Sequence, residues 1–395
     1  MRTVYYDVEN TLNVPFITGI QRVTREFSKI VLSSNAQTTH RFVPVRYDHK
    51  RSIWRQLDPN ETMSLLADSP QSHGLINRAQ RKIKQLLPLS KKLRIKQFES
   101  DSIFLDIDSS WHSTLKRETL LPQLKSAGVR LAKLHYDIIP LLFPETTHPN
   151  TVKVFSEHFA SHIKHSELFL CISNTTKNDV SHYCEEHSLT QPSLQTIQLG
   201  THVSLNDDAA THDLSIKSFG RYLLSVGTLE PRKNYPLLLK AFEEIRQTTD
   251  LNLLIVGKTG WLAQDIANQL KAHPDYGSRI HHLEQINDAQ LNSLYQNAWL
   301  SVIPSLYEGF GLPVIESLAR NCPTLCSTAG SLSEVGANHV HFFSPDSVTE
   351  LAQAILSLYS NSSRYQQLKL AATQYQATPW SETVKNIDQH LGELG

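Results

Sequence analysis

The 395-residue chain carries 38 basic and 38 acidic residues, so its formal net charge is zero and nothing global argues for a nucleic-acid partner. Apolar residues make up 40% of it without a run of 18, which suits globular cores and argues against a membrane span. The length suggests two domains.

The N-terminus, from Met1 to Val8, has no long apolar segment. It reads as a first strand rather than a signal peptide, and a cytoplasmic location is expected. A loop from Asn10 to Thr18 follows, then a helix opened by Gly19, with Ile20, Val23, Phe27, Ile30 and Val31 at helical spacing. Arg41–Tyr47 is a second strand candidate, and clear alternation is lost over 48–100. Within that stretch, residues 78–96 hold eight Lys or Arg residues and no acid, interleaved with leucines. Two readings stand: a basic amphipathic surface for peripheral contact with anionic lipid, or the solvated face of an inserted loop.

Residues 102–108 read as a strand ending in Asp106-Ile107-Asp108, with Trp111 just beyond. Paired aspartates at this spacing can hold a divalent ion, but a strand-end turn explains them equally, and we expect an acceptor-side or structural role. A strand from Gly128 runs into His135-Tyr136-Asp137, Val152–His165 is helical, and Leu168–Ser173 is a strand. Ser173 or Asn174 caps the next helix. Thr196–Val203 suggests a strand and glycine turn, and the polar stretch 204–217 reads as an interdomain linker. The four cysteines, Cys171, Cys184, Cys322 and Cys326, lack paired zinc spacing and are expected to be reduced and structural.

Beyond the linker, strands and helices alternate: strand Tyr222–Gly227, helix Tyr235–Gln247, strand Leu251–Gly257, strand Ile280–Leu283, helix Asp288–Asn297, strand Leu300–Pro304, helix Pro313–Arg320, strand Pro323–Cys326. Such alternation predicts a parallel sheet covered on both faces, with ligands at the carboxyl ends of its strands. Gly227-Thr228, Gly257-Lys258 and Tyr307-Glu308-Gly309 all fall at such ends. No G-x-G-x-x-G follows a strand, which weakens a dinucleotide-redox reading. The stretch Pro304–Ser317, PSLYEGFGLPVIES, holds Glu308 and Glu316 on either side of a glycine turn that ends on Pro313. Strand, glycine loop and helix start together aim backbone N–H groups and a positive helix end at one spot, which suits a diphosphate.

PSLYEGFGLPVIE resembles the E-x7-E signature of the retaining, nucleotide-sugar-dependent glycosyltransferases of family 4, and Val226–Asn234 (VGTLEPRKN) resembles their donor-phosphate loop. The resemblance is clearest from about Ser173 to Trp380, and points to members that build bacterial O-antigen and exopolysaccharide. It implies the GT-B fold: α/β, two Rossmann-like domains with parallel sheets facing across a cleft, and a C-terminal helix crossing back to the first. The expected divisions are an acceptor-side domain over 1–203, the linker at 204–217, a nucleotide-sugar domain over 218–378, and a returning segment over 379–395.

The resemblance also implies roles. Gly19, Ser173, Gly227, Thr228, Arg232, Lys233, Lys258, Glu308, Gly309, Phe310, Gly311, Leu312 and Glu316 would line the donor. Glu308, Lys233, Arg232 and Asp137 would carry the chemistry, with Asp106, Asp108, Trp111 and His135 on the acceptor side. Tyr136 stands where a histidine is usual beside the aspartate, and His135 lies one place earlier. Thr228 occupies a position often held by arginine, for which either Arg232 or Lys258 substitutes. No metal or cofactor is expected, because Arg232, Lys233 and helix dipoles can meet the charge on a leaving diphosphate. The donor would be GDP-, UDP- or dTDP-linked, GDP-mannose favoured, and the acceptor a saccharide or polyprenyl-diphosphate-linked glycan. Alternatives are a non-catalytic GT-B scaffold subunit and a GT-B epimerase. A phosphorylase would need a lysine for pyridoxal phosphate, and no such motif occurs.

Overall fold

A computed structural model describes residues 1–14, 18–67, 92–201 and 216–394. The basic stretch from 78 and the linker from 204 lie outside these residues as far as 91 and 215. The chain forms two compact units, one of Met1–Ile138, Asn150–Gly200 and Thr378–Gly395, the other of Ile139–Pro149 and Thr201–Ala377. Both are Rossmann-like layers of helices on a largely parallel sheet.

In the first unit the strands are β1 (Thr3–Asp7), β2 (Arg41–Asp48), β3 (Ile53–Gln56), β4 (Lys92–Leu93), β5 (Ile103–Asp106), β6 (Arg130–His135), β7 (Leu168–Cys171) and β8 (Ser193–Thr196). Their order is β4-β3-β2-β1-β5-β6-β7-β8. Strands β1, β2 and β5 to β8 pair in parallel, but β3 runs antiparallel to both β2 and β4. The parallel sheet thus carries an antiparallel edge. The passage from β2 to β3 is a tight turn, with Asp48 accepting the Lys50 and Arg51 amides and Ser52 at φ 51°, too short for a crossover.

Three further expectations are corrected. The segment 10–18 is not all loop: Glu9–Asn13 is a short helix. Asp7 accepts the Glu9 amide at 2.9 Å, and Asp108, distant in sequence, accepts the Thr11 amide at 2.6 Å, so half of its N-terminal cap is invisible to local reading. The helix Pro59–Leu66 lies in the stretch that showed no alternation; its Asp58/Glu61 capping box was the missed signal. The strand expected at 196–203 ends at Thr196, and Gly200 instead abuts the last helix, where a Cβ would come within 2.7 Å of Trp380. That helix, Trp380–Gly392, belongs to the first unit. Asp388 fastens it, accepting the Thr39 and His40 amides, the Thr39 hydroxyl and the His40 ring.

The second unit's strands are β9 (Tyr222–Val226), β10 (Asn252–Val256), β11 (Ile280–Leu283), β12 (Leu300–Ile303), β13 (Thr324–Ser327) and β14 (His341–Phe343). They pair in parallel in the order β11-β10-β9-β12-β13-β14. The order reverses between β9 and β12, and the crevice beyond the carboxyl ends at such a switch point is where open α/β sheets bind ligands. Burial explains the strands: Leu223, Leu253, Ile255, Leu300 and Val302 share one core with Leu238, Phe242 and Ile355 of the helices above. The sequence reading did not single out the helices Gln264–Ala272, Val348–Ser360 and Ser362–Thr373, although Ser347 and Asn361 cap the last two. Among the described residues no helix is long and apolar enough to cross a membrane.

Candidate active site

The loops after β9 and β12 meet at the switch point, and their side chains interlock. The loop after β9 makes a single 3-10 turn, Pro231–Lys233, and Asn234 ends it in the left-handed region at φ 56°. Asn234 holds that conformation because its side-chain amide donates to the Pro304 and Pro345 carbonyls. The turn thereby points Arg232 and Lys233 at the loop after β12. Glu308 lies there, 7% exposed. Its Oε2 accepts from Arg232 Nη1 at 2.7 Å, and its Oε1 from Lys233 Nζ at 2.5 Å and Ser305 Oγ at 2.7 Å. Burial alone would raise the Glu308 carboxyl, but the Arg232 and Lys233 charges outweigh it and hold the group down to about 2. Arg232 also donates to the Tyr307 carbonyl at 2.7 Å and, through Nη2, to Glu230 Oε1 at 2.6 Å. Two carboxylates and two cations balance here.

Backbone geometry fixes the floor of this site. Gly257, at φ +150°, passes so close to Gly227 that a Cβ would lie 2.0 Å from the Gly227 carbonyl. The Tyr235 hydroxyl donates to that same carbonyl at 2.7 Å. Beside Glu308, Ser331 donates its amide and hydroxyl to the Glu308 carbonyl. Gly311 caps the helix Leu312–Leu318 at φ 101°, so Pro313 stands second in that helix, one place later than expected. Glu316 is half-buried within it and accepts from the Tyr295 hydroxyl at 3.2 Å. Gly309 and Phe310 are buried, Thr228 and Leu312 half-buried, and Lys258 exposed at the end of β10.

Sequence reading thus found the two loops but missed two partners within them, Glu230 and Ser305, and a third, Ser331, beyond β13. Glu230 was quoted only as part of its loop, although it precedes the two basic residues. Ser305, just past the end of β12, and Ser331, before the helix Leu332–Gly336, carry no local signal.

The first unit holds the other candidates. Gly19 opens the helix Gly19–Val31 and is exposed. Ser173 caps the helix Asn174–Glu186, accepting the Thr176 amide, and Thr176 in turn donates to the Tyr136 carbonyl, which ties the Asp137 loop to the β7 end. The His135 ring is buried between Phe159 and Phe169, and neither ring nitrogen has a hydrogen-bond partner among the described residues. Burial holds it well below the usual histidine range, hence neutral. Asp106 is fully buried and binds Arg117 Nε at 2.6 Å, Ser110 Oγ at 2.8 Å and His162 Nε2 at 2.9 Å. Arg117 also pairs with Asp7. Asp108 is spent on the Thr11 and Ser109 amides. The Trp111 ring packs against Phe155 and His158.

Asp106, His158 and His162 place ligand atoms within 4.8 Å of one another, close enough to share an ion. Arg117 already neutralises this carboxylate, and Lys133 is its register partner on β6, buried with no hydrogen-bond partner among the described residues for its ammonium. A divalent ion would enter a dry pocket beside two cations, which electrostatics opposes. Asp106 and Asp108 are accounted for as structural groups.

Residues 208–375 match the model of the glycosyl transferases group 1 family. The matched stretch coincides with most of the second unit and contains Glu230, Arg232, Lys233, Glu308 and Glu316. Among similar proteins, the serotype-specific mannosyltransferase WbdA of Escherichia coli is 28% identical over 278 residues, 66% of this chain and 34% of the relative. O-antigen chain mannosyltransferase B of Escherichia coli is 36% identical over 137 residues, 34% of this chain and 36% of the relative. The chain spans about a third of the length of these relatives. Over the whole chain the fold resembles that of Anabaena HepE in complex with UDP, at TM-score 0.67 and 14% identity with both chains fully covered. Sucrose-phosphate synthase of Thermosynechococcus elongatus superposes at TM-score 0.65 and 16% identity, covering 100% of this chain and 98% of that one. The chain therefore has the GT-B architecture, two Rossmann-like units, and resembles bacterial mannosyltransferases.

Proposed function

We propose that the protein is a glycosyltransferase that moves a hexose from a nucleotide sugar, with GDP-mannose the favoured donor, to a surface-polysaccharide or lipid-linked saccharide. The transfer retains anomeric configuration and uses no metal. One observation carries this reading: Arg232 and Lys233 converge on Glu308 at the sheet's switch point. The mannose preference is supported by what the similar proteins are called, and the nucleotide by the UDP that HepE holds on the same fold. The protein works in the cytoplasm, where nucleotide sugars are made.

The bond from the anomeric carbon to the donor's terminal phosphate oxygen breaks, and negative charge gathers on the departing nucleoside diphosphate. Lys233, with the amides near Gly309–Leu312, meets that charge. Glu308 accepts hydrogen bonds from hydroxyls of the sugar in transit, and Glu316 from the ribose. A scaffold subunit or an epimerase is not favoured, because the charged set is complete and interlocked.

Incubating the full chain with GDP-mannose, UDP-glucose and dTDP-rhamnose singly, and measuring nucleoside diphosphate release, tests the reading; no release above background from any of them would sink it. Activity is expected to survive excess EDTA. Its loss with EDTA and recovery with Mn²⁺ would return Asp106 and its two histidines to consideration as ligands.

The two glutamates should fail differently. Glu316→Gln is expected to weaken binding of the bare nucleoside diphosphate as well as turnover. Glu308→Gln is expected to cut turnover while leaving that affinity intact or raising it, because it frees Lys233 from its carboxylate partner. Isothermal titration beside initial rates separates the two; equal loss of affinity in both variants contradicts the division of roles.

A further inference from the structure

The two cations of the site are attached differently. Lys233 reaches only Glu308 among its ion-pair partners in the described residues. Arg232 has acid on both sides, Glu230 through Nη2 and Glu308 through Nη1, and its Nη1 also donates to the Tyr307 carbonyl. Its own carbonyl accepts the Leu306 amide at 2.8 Å, so backbone and side chain together stitch it to the β12 loop. Glu230 is 2% exposed, and its carbonyl accepts the Lys233 amide, which fixes the turn around it.

We propose that Glu230 is a positioning residue: acting through Arg232, it fixes the Glu308 carboxylate, so that Arg232 is a wall of the site and Lys233 alone is the cation free to move to the diphosphate. This rests on the glycosyltransfer reading above. The deciding argument is what each movement leaves behind. Drawing Arg232 toward a ligand strands Glu230 as a buried, unpaired carboxylate, a costly state. Drawing Lys233 away strands nothing, because Glu308 keeps Arg232 and Ser305. Glu230 has too little exposed surface to touch a ligand itself, so its effect must pass through the guanidinium.

The test compares Glu230→Gln, Glu308→Gln and the double variant in the full chain, using a nucleotide sugar that the unaltered protein turns over. Glu230→Gln is expected to lower kcat ~10- to 100-fold, the scale of a misplaced catalytic group. Its affinity for nucleoside diphosphate should hold or tighten, because the site gains net positive charge. In the Glu308→Gln background the same change should cost less than about threefold, since the group it positions is already disabled. Losses that multiply fully in the double variant overturn the proposal, as does nucleoside diphosphate affinity falling in step with kcat, which would make Arg232 a diphosphate ligand. Should thermal unfolding show Glu230→Gln misfolded, Arg232→Lys, which keeps the charge and loses the fork, must give the same split, and normal kcat in it overturns the proposal. An unaltered protein that releases no nucleoside diphosphate from any nucleotide sugar sinks the underlying function; an active one with a normal Glu230→Gln variant sinks only the positioning role.

Discussion

Lys233→Ala is expected to lower turnover ~30- to 1,000-fold, about 2–4 kcal/mol of transition-state stabilisation, the range found when one charge-stabilising donor is removed. The ammonium sits 2.5 Å from Glu308 in a short turn after β9 and carries no core packing. Its loss therefore removes the cation meant for the departing phosphate and leaves Glu308 with Arg232 and Ser305. The fold should tolerate the change, because the turn is held by Asn234 and by backbone bonds rather than by this side chain. Initial rates at saturating donor measure the effect, and thermal unfolding checks the fold. Near-normal turnover would mean that the diphosphate lies elsewhere.

A second large effect concerns stability rather than chemistry. Arg117→Met should destabilise the first unit by about 3–5 kcal/mol, the cost of breaking a buried ion pair from one side. The Arg117 side chain is fully buried between Asp7 and Asp106, at the ends of neighbouring strands β1 and β5. Removing the guanidinium leaves two carboxylates in a dry site. The pH dependence has a definite sign. Burial already pushes the Asp7 carboxyl up to about 7, despite Arg117. Without Arg117 the Asp7 carboxyl is raised further, and a group raised in the folded state stabilises at low pH and loses that contribution as pH rises. The variant's deficit should therefore be smaller at pH 5.5 than at pH 8, as read by urea unfolding. A deficit that grows on acidification would show that Arg117 matters for packing instead.

The second unit was the more legible half, for reasons that lie in particular residues. Its strands β9 and β10 are short apolar runs followed by glycine, and its site sits on the loops after β9 and β12. Gly257 and Gly311 stand where the backbone needs them, so the loops announced themselves. The pairing within the site was not legible. Arg232 and Glu308 are far apart in sequence, and only the strand order that puts β12 beside β9 makes them partners. The Asp106 pair shows the opposite case. Its spacing suggested an ion or a turn, yet the partners of Asp106 come from two distant helices, Arg117 on one and His158 and His162 on the other. Antiparallel β3 and the cap that Asp108 provides for Glu9–Asn13 were hidden in the same way, since each depends on a contact between distant stretches.

The last helix, Trp380–Gly392, is an integral part of the first unit: Trp380 closes against Gly200, and Asp388 grips Thr39 and His40. During synthesis, the first unit must therefore wait, one piece short, while all of Thr201–Ala377 leaves the ribosome. At ordinary elongation rates that delay is on the order of 10–40 s. The second unit's long stretch is free to fold in that interval, which reverses the usual N-terminal-first sequence. A nascent chain stalled before Trp380 would expose the patch around Gly200, His40 and Thr39, a natural point for a chaperone to attend.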